Sequence, residues 1–313
     1  GLDMVDTYRT ACEVEAYVRK TRMTAFLHMR CVRLFGHAGA DAEHVYKSKQ
    51  AISETEANDP LRTSAAHMIA RGLMTPQQVI SHYHAIGDQV AEKAEIAIKR
   101  SKLETAAEVM ESIIPPTRDT LNSESERLNQ ETRKTLFGAD FNKLQKPHNM
   151  ARLINWTLAE LMAEQSNIVM AGEDIGKKGG VYSVTAKLQQ MFGTHRVIDT
   201  LLDEQTILGL AIGMAHNGIL PIPEIQFLAY LHNAEDQIRG EAATLSFFSQ
   251  GQYTNPMVIR IAGLAYQKGF GGHFHNDNSL AVLRDIPGVI VACPSNGTDA
   301  VGMLRECVRL AQE

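Results

Sequence analysis

The sequence of 313 residues lacks the features that mark several classes of protein. No apolar run reaches the roughly 18 residues that a membrane span needs, and the N-terminus carries no secretory signal pattern. The four cysteines are far apart, so neither a disulfide framework nor a zinc site is indicated. We therefore expect Cys12, Cys31, Cys293 and Cys307 to be small core residues of a reduced, cytoplasmic protein that does not bind a membrane.

Positive charge is not in excess, because 31 lysines and arginines face 36 aspartates and glutamates, for a formal net charge of −5. A protein that binds nucleic acid needs a concentrated positive face, so nucleic acid is not expected as a partner. What is present is an ordinary globular composition, 44% hydrophobic and 21% charged. The length allows about two domains and a sizeable buried core.

The patterning divides the chain into three stretches. Residues 1–114 have mostly helical spacing, residues 115–150 are polar and are predicted to form a linker, and residues 151–313 alternate between helices and short apolar strands. The chain starts and stops within helical patterns. We therefore expect it to be part of a longer protein and, taken alone, to be inactive or barely folded.

Within the first stretch, helical spacing predicts a helix over 4–20 and a second one that starts at Pro60. Residues 24–34 alternate in the manner of an extended strand. A capping box at Thr75 begins a long charged helix, which is predicted to reach Ile114 before two prolines end it.

The last stretch has the rhythm of a parallel sheet with helices on both faces. Its predicted strands are 167–171, 196–200, 220–226, 257–262 and 288–293, and its predicted helices are 151–164, 205–217, 233–249 and 298–311. Ligands of such sheets bind at the carboxyl ends of the strands, so polar residues that follow a strand are the first candidates for a site.

Glu204 is the most informative of these residues. It follows the strand 196–200 after a short turn and precedes the apolar helix of 205–217. One interpretation is a first-turn glutamate that interacts only with the helix dipole, which is worth under about 1 kcal/mol. The other is a functional carboxylate at a buried strand end, and the position alone does not decide between them.

Four blocks of this stretch, in this order, resemble the pyrimidine-binding domain of the thiamine-diphosphate-dependent 2-oxo acid dehydrogenases, in the beta subunit of the decarboxylating component. The blocks are 172–188, 192–218, 224–238 and 271–295. Residues 1–41 and 58–75 resemble the carboxyl end of the alpha subunit of the same component. The resemblance implies a thiamine-diphosphate-binding α/β fold, preceded by the helical C-terminal part of a diphosphate-binding domain in a single fused chain.

The resemblance assigns roles to residues of the last stretch. It implies that Glu204 hydrogen-bonds the aminopyrimidine ring of the cofactor, which calls for a partly buried carboxyl group. Tyr230 matches the aromatic residue that packs on that ring, although a core tyrosine would give the same pattern. Gln226 and Glu224 end the preceding strand and are weaker candidates for polar contact.

Histidines complete the set that the resemblance implies. His275 matches a loop histidine that binds the substrate carboxylate or passes a proton, with His273 as a rival. His37 matches a loop histidine of the alpha half beside the cofactor diphosphate, and Arg33 could supply charge there. Ala38 stands where many members carry a serine that can be phosphorylated.

The implied function is oxidative decarboxylation of a 2-oxo acid, either pyruvate or a branched-chain acid, with acyl transfer to lipoyl on a partner acyltransferase. The implied cofactors are thiamine diphosphate and magnesium, whose G-D-G…N ligand segment does not occur in this sequence. A homodimer of fused chains is expected. The alternatives are an enzyme of the transketolase or deoxyxylulose-phosphate synthase type, and a noncatalytic assembly subunit of the complex.

Overall fold

The chain divides into two units, Gly1–Lys102 and Leu103–Glu313. Within the residues that the structure describes, no helix has both the length and the apolar character that crossing a membrane requires. The residues described by this computed structural model are 1–37, 42–111, 113, 127–264 and 272–312.

The N-terminal unit is helical, as predicted. Its first helix confirms the pattern over 4–20, and the helix that begins at Pro60 is also present. Thr75 forms the predicted capping box, since its Oγ1 accepts from the backbone N of Gln78 at 3.2 Å and the Gln78 side chain accepts from the backbone N of Thr75 at 2.8 Å. The helices are α1 (Met4–Thr21), α2 (Lys49–Ala57), α3 (Pro60–Ala70) and α4 (Pro76–Ile98).

The prediction that the helix after Thr75 continues to Ile114 was wrong. Helix α4 ends at Ile98, and a separate helix, α5 (Ala106–Glu111), follows in the other unit. A second capping box separates them, because Glu108 accepts from the backbone N of Thr105 at 2.8 Å while the Thr105 hydroxyl accepts from the backbone N of Glu108. Ile114 itself lies outside the described residues.

Two further predictions for the N-terminal unit were wrong. Residues 24–34 form no strand in the structure, and the side chain of Phe26 is 91% exposed. A strand needs a paired neighbour, and the described residues of this unit offer none. Cys12 and Cys31 are exposed instead of buried, and no described residue of the unit belongs to a core.

The C-terminal unit is built around a parallel sheet with the strand order β2-β1-β3-β4. Leu220 and Ile222 of one strand face a core cluster shared with the helices 150–164 and 297–310, whereas Ile225 faces a second cluster on the other side. The predicted parallel sheet with helices on both faces is therefore confirmed. The strands are β1 (Ile168–Gly172), β2 (Val197–Asp199), β3 (Leu220–Ile225) and β4 (Arg260–Ile261).

The helices of this unit follow the predicted alternation in part. Asn149 caps the first long helix, where its side chain accepts from the backbone N of Arg152 at 3.0 Å. The helices are α6 (Gln130–Phe137), α7 (Met150–Glu164), α8 (Leu188–Phe192), α9 (Glu204–Ala215), α10 (Leu245–Phe248), α11 (Gly272–His275), α12 (Ala281–Arg284) and α13 (Gly297–Leu310).

Two elements of the predicted pattern are replaced. The helix over 233–249 is divided among a 3-10 segment (Leu228–Ala234), a π-helical segment (Gln237–Ala242) and α10. Residues 288–293 are described but form no strand, because they pair with no other described segment. Of the remaining two cysteines, Cys293 is exposed and Cys307 half-buried, so all four differ from the predicted core position.

The described part of the predicted linker contacts helices of the C-terminal unit. Within 115–150, α6 presents Phe137 to the ring of Trp156, at 6.3 Å between ring centroids. Arg133 Nε lies 2.7 Å from a carboxylate oxygen of Glu160 in α7, and Glu160 also pairs with Arg305 of α13. This polar sequence therefore joins the unit through the contacts of Phe137 and His148 with Trp156 and through an ion-pair network.

Candidate functional site

Three polar side chains follow the strands of the sheet at their carboxyl ends. Glu173 follows β1, Glu204 lies a few residues after β2, and Gln226 follows β3. The strands are parallel, and the backbone N of Thr200 donates to the carbonyl of Gly172 at 3.0 Å, so the ends of β1 and β2 are adjacent. The strands thus bring two carboxyl groups and an amide to one edge of the sheet.

Glu204 is buried although it is the first residue of α9, and only 5% of it is exposed. Its carboxylate Oε2 accepts a hydrogen bond from the side-chain Nδ2 of Asn233 at 3.2 Å. A glutamate that served only the helix dipole would normally sit in solvent. The burial and the specific donor therefore favour the functional interpretation of Glu204.

Glu173 is a further candidate site residue, which the sequence analysis missed. It is half-buried, and burial raises the pKa of its carboxyl group, with a further rise from the negative charges of Asp174 and Glu204. Burial is the largest cause of this rise, and the charge of Glu204 is a smaller one. Its position directly after β1 was the signal that could have identified it.

Aromatic rings from two segments meet beside the edge of the sheet. The imidazole of His275 lies 4.4 Å from the ring of Phe227 and 6.1 Å from the ring of Tyr230, measured between centroids and nearly perpendicular in both cases. Tyr230 sits in the same 3-10 segment as Asn233, and it packs on the core cluster that contains Ile207 of α9. The predicted residues Tyr230 and His275 are thus brought together, and the ring of Phe227 contacts both.

The two other candidates at the end of β3 differ in their surroundings. Gln226 is half-buried and directly follows the strand. Glu224 is 1% exposed and its Oε2 accepts from Nε of Arg260 at 3.0 Å, across the β3–β4 pair. Glu224 is therefore engaged in a buried ion pair within the sheet, whereas Gln226 remains a candidate for ligand contact.

The remaining predicted residues belong to other parts of the chain. Arg33 and His37 are exposed residues of the N-terminal unit, and their roles stay predictions. Ala38 lies outside the described residues, as does the side chain of His273, so the rivalry between His273 and His275 is unchanged.

The segment after Glu173 makes a tight turn. Gly179 and Gly180 have φ of 87° and 68°, in the region that favours glycine, and the backbone N of Gly180 donates to the carbonyl of Asp174 at 2.9 Å. The buried side chain of Asn155 donates to the carbonyl of Val184 at 2.8 Å and so holds the far side of the turn. This loop fixes the chain that leaves the carboxyl end of β1.

No metal site is apparent in the parts of the chain that the structure describes, since they contain no group of three or more histidine, cysteine, aspartate or glutamate side chains that could hold an ion. Glu173 and Glu204 are carboxyl groups, which can hold or share a proton and can accept hydrogen bonds.

Comparisons with known proteins match both parts of the chain. Residues 146–313 match the family model described as "Transketolase, pyrimidine binding domain", and residues 1–108 match "Dehydrogenase E1 component". The chain is 38% identical over 157 residues to the 2-oxoisovalerate dehydrogenase subunit beta of Bacillus subtilis, covering 50% of this chain and 47% of that protein.

A second relative gives the same picture. The pyruvate dehydrogenase E1 component subunit beta of Acholeplasma laidlawii is 41% identical over 152 residues, which cover 48% of this chain and 46% of that protein. The chain thus spans about half the length of the curated relatives it matches. Both relatives align with only half of this chain, while the two family models together match most of it.

Proposed function

This chain belongs to the transketolase pyrimidine-binding domain family, and from that premise we propose that it takes part in thiamine-diphosphate-dependent oxidative decarboxylation of a 2-oxo acid. The acyl group passes to lipoyl on a partner acyltransferase. The names of the relatives support both a branched-chain acid and pyruvate as substrate. The match of residues 1–108 to a dehydrogenase E1 component favours this reaction over a transketolase or synthase reaction on sugar phosphates.

The observation that carries the proposal is the buried Glu204 at the sheet edge, with its donor Asn233 and with Tyr230 and His275 nearby. An aminopyrimidine ring needs a carboxyl group that can share a proton with a ring nitrogen and an aromatic surface to pack against. The side chains present provide both. The residues of this edge therefore fit the pyrimidine half of the cofactor.

Bound thiamine diphosphate supplies the electron sink for loss of carbon dioxide. In our proposal Glu204 holds or shares a proton at its carboxyl oxygen, where burial keeps water from competing for it. Tyr230 packs on the ring, and Gln226 offers an amide for a polar contact. The imidazole of His275 binds the substrate carboxylate or passes a proton during acyl transfer.

The rest of the assembly belongs to the same proposal. Arg33 and His37 lie in the segment that matches the dehydrogenase E1 component, and we assign them to the diphosphate side of the cofactor and to the lipoyl entrance. Magnesium would be held by residues outside this chain. The proposal also includes a homodimer of fused chains and a cytoplasmic location. It divides the chain into an alpha-type part, a linker and a pyrimidine-binding domain, at residues 1–114, 115–150 and 151–313.

The test is binding and turnover with the intact protein. We expect thiamine diphosphate to bind in the presence of Mg²⁺ by calorimetry, and a screen of 2-oxo acids to release carbon dioxide from pyruvate or a branched-chain acid. Glu204→Gln should lower turnover by about 10²- to 10⁴-fold, as loss of a positioned proton donor does. Glu241→Gln, which changes an exposed glutamate, is the matched control and should behave as the wild type.

Three results would contradict the proposal in different ways. Binding without turnover of any 2-oxo acid, but with turnover of sugar phosphates, would indicate a transketolase or synthase. Absence of thiamine diphosphate binding by the wild-type protein would indicate a noncatalytic assembly subunit. Equal activity of the Glu204→Gln and wild-type proteins would remove Glu204 from the site.

A further inference from the structure

Asn233 makes the only hydrogen bond that the described residues give to the carboxylate of Glu204. Its Nδ2 donates to Oε2 at 3.2 Å, and within the described ranges no side chain or backbone group donates to Oε1. The two residues are 29 positions apart in sequence, so the contact is a product of the fold. It leaves the two oxygens of one buried carboxylate in different environments.

The hydrogen bond joins two elements that are packed together. Asn233 lies in the 3-10 segment Leu228–Ala234, where its neighbours Leu231 and Ala234 are fully buried. They belong to the same core cluster as Ile207 and Leu208 of α9, the helix that Glu204 begins. The side chain of Asn233 is itself exposed, so it contributes little to this core and its amide lies at the solvent side of Glu204.

The chemistry of an amide suits this place better than that of the other polar side chains of similar size. Its N–H₂ group donates to a carboxylate, and it carries no charge. Glu173, another carboxyl group, directly follows strand β1 at the same edge of the sheet. A further acid at position 233 would add like-charge repulsion, whereas an alanine would leave Oε2 without its donor.

We propose that Asn233 is a positioning residue, which holds Oε2 of Glu204 so that Oε1 is the oxygen presented to the pyrimidine ring. This inference rests on the proposed function. Asn233 acts on the ligand only through Glu204, so it sets the orientation of the carboxyl group and not the affinity for the 2-oxo acid.

The test uses two variants that cannot donate a hydrogen bond to Glu204. Asn233→Ala removes the side chain, and Asn233→Asp keeps its shape but replaces the donor by an acceptor. In the intact protein with thiamine diphosphate and Mg²⁺, we expect kcat to fall by about 10- to 100-fold in Asn233→Ala, the effect of leaving a buried carboxyl oxygen without its donor. The kcat of Asn233→Asp should fall at least as far, while KM for the 2-oxo acid stays unchanged in both variants.

Asn217→Ala is the matched control, because Asn217 is an exposed asparagine just beyond the other end of α9. It should retain the wild-type kcat. Urea unfolding followed by the fluorescence of Trp156 establishes that every variant is folded. Wild-type activity in Asn233→Asp would overturn the inference, since the shape of the side chain would then suffice. A rise in KM with unchanged kcat would overturn it as well.

A second readout needs no cofactor and separates this inference from the proposed function. The carboxyl ¹³C resonance of Glu204, assigned by its disappearance in Glu204→Gln, should move in both Asn233 variants and stay in place in Asn217→Ala. If the wild-type protein lacks 2-oxo acid activity but the resonance moves, the proposed function fails and the positioning contact stands. If the resonance is unchanged in both Asn233 variants, the positioning role is refuted whatever the activity.

Discussion

The ion pair of Glu224 and Arg260 allows a quantitative test of the sheet beside the site. The two residues face each other in the β3–β4 register, and their side chains are 1% and 13% exposed. Arg260 Nε donates to Oε2 of Glu224 at 3.0 Å, and Nη2 contacts the same oxygen. The buried Oε1 of Glu224 finds no hydrogen-bond partner among the described residues, so the pair is incompletely satisfied.

Removal of one partner is expected to be far more costly than removal of both. Arg260→Met leaves the charge of Glu224 buried and uncompensated, which should lower the free energy of unfolding by about 3–5 kcal/mol. Arg260→Met combined with Glu224→Met replaces an imperfect ion pair by apolar side chains of similar length. The double variant should therefore lie within about 1 kcal/mol of the wild type.

Urea unfolding measures these differences, with fluorescence of Trp156 as the probe. Trp156 is the single tryptophan of the sequence and lies in the core of the C-terminal unit, so the signal reports on that unit. With a slope of about 2 kcal/mol per M, the single variant should lower the midpoint by about 1.5–2.5 M. Lys178→Met, which breaks the exposed pair with Asp174, is the control and should leave the midpoint nearly unchanged.

Two outcomes would refute this reasoning. A midpoint for Arg260→Met close to that of the wild type would show that the pair is solvated, and a double variant as unstable as the single one would show that packing, and not charge, is lost. The double variant also bears on the site. Because Glu224 pairs with Arg260, we expect the double variant to bind thiamine diphosphate as the wild type does. Loss of binding would indicate that Glu224 contacts the ligand.

Three further predictions concern other parts of the chain. The raised pKa of Glu173 means that its charged form destabilises the folded state. At a pH above that pKa, Glu173→Gln should therefore unfold at a higher urea concentration than the wild type. The difference between the two urea midpoints should vanish below about pH 4, where Glu173 is protonated in both the folded and the unfolded state. Gly180→Ala should destabilise the C-terminal unit in the same assay by more than about 1 kcal/mol, because its Cβ would lie 2.6 Å from Oγ1 of Thr185 at a positive φ. Gly209→Ala is the control: the new methyl group meets open space within a helix, so this variant should be more stable than the wild type. Gly1–Lys102 expressed alone should show no cooperative thermal transition by circular dichroism, since none of its described residues is buried.

The amino-acid pattern predicted those helices and strands whose stability depends on residues close to them in the sequence. The strands that became β1 to β4 are short apolar runs between helices, and the capping box at Thr75 was read from four residues. The equally local box of Thr105 and Glu108 was overlooked, although its T-x-x-E spacing is visible in the sequence. That omission alone extended α4 beyond Ile98.

Features that depend on a distant partner were not predictable in this way. Residues 24–34 and 288–293 have the alternation or apolar content of strands, but a strand forms only where another strand can pair with it. The same limit applies to the site. The burial of Glu204 was expected, yet its contact with Asn233 and the contacts of His275 with Phe227 and Tyr230 arise from packing between segments far apart in sequence.

The strand order gives an independent reason to place the site where these side chains lie. From β1 the chain crosses to β2 on one side and then returns to β3 on the other, so the direction of the connections reverses between β1 and β3. Such a reversal leaves a crevice at the carboxyl ends of the two strands, because their connecting segments depart to opposite sides. Glu173 follows β1 and Gln226 follows β3, on either side of this crevice, and Glu204 enters from the start of α9. Backbone topology and the positions of the two glutamates in the chain thus identify the same edge of the sheet.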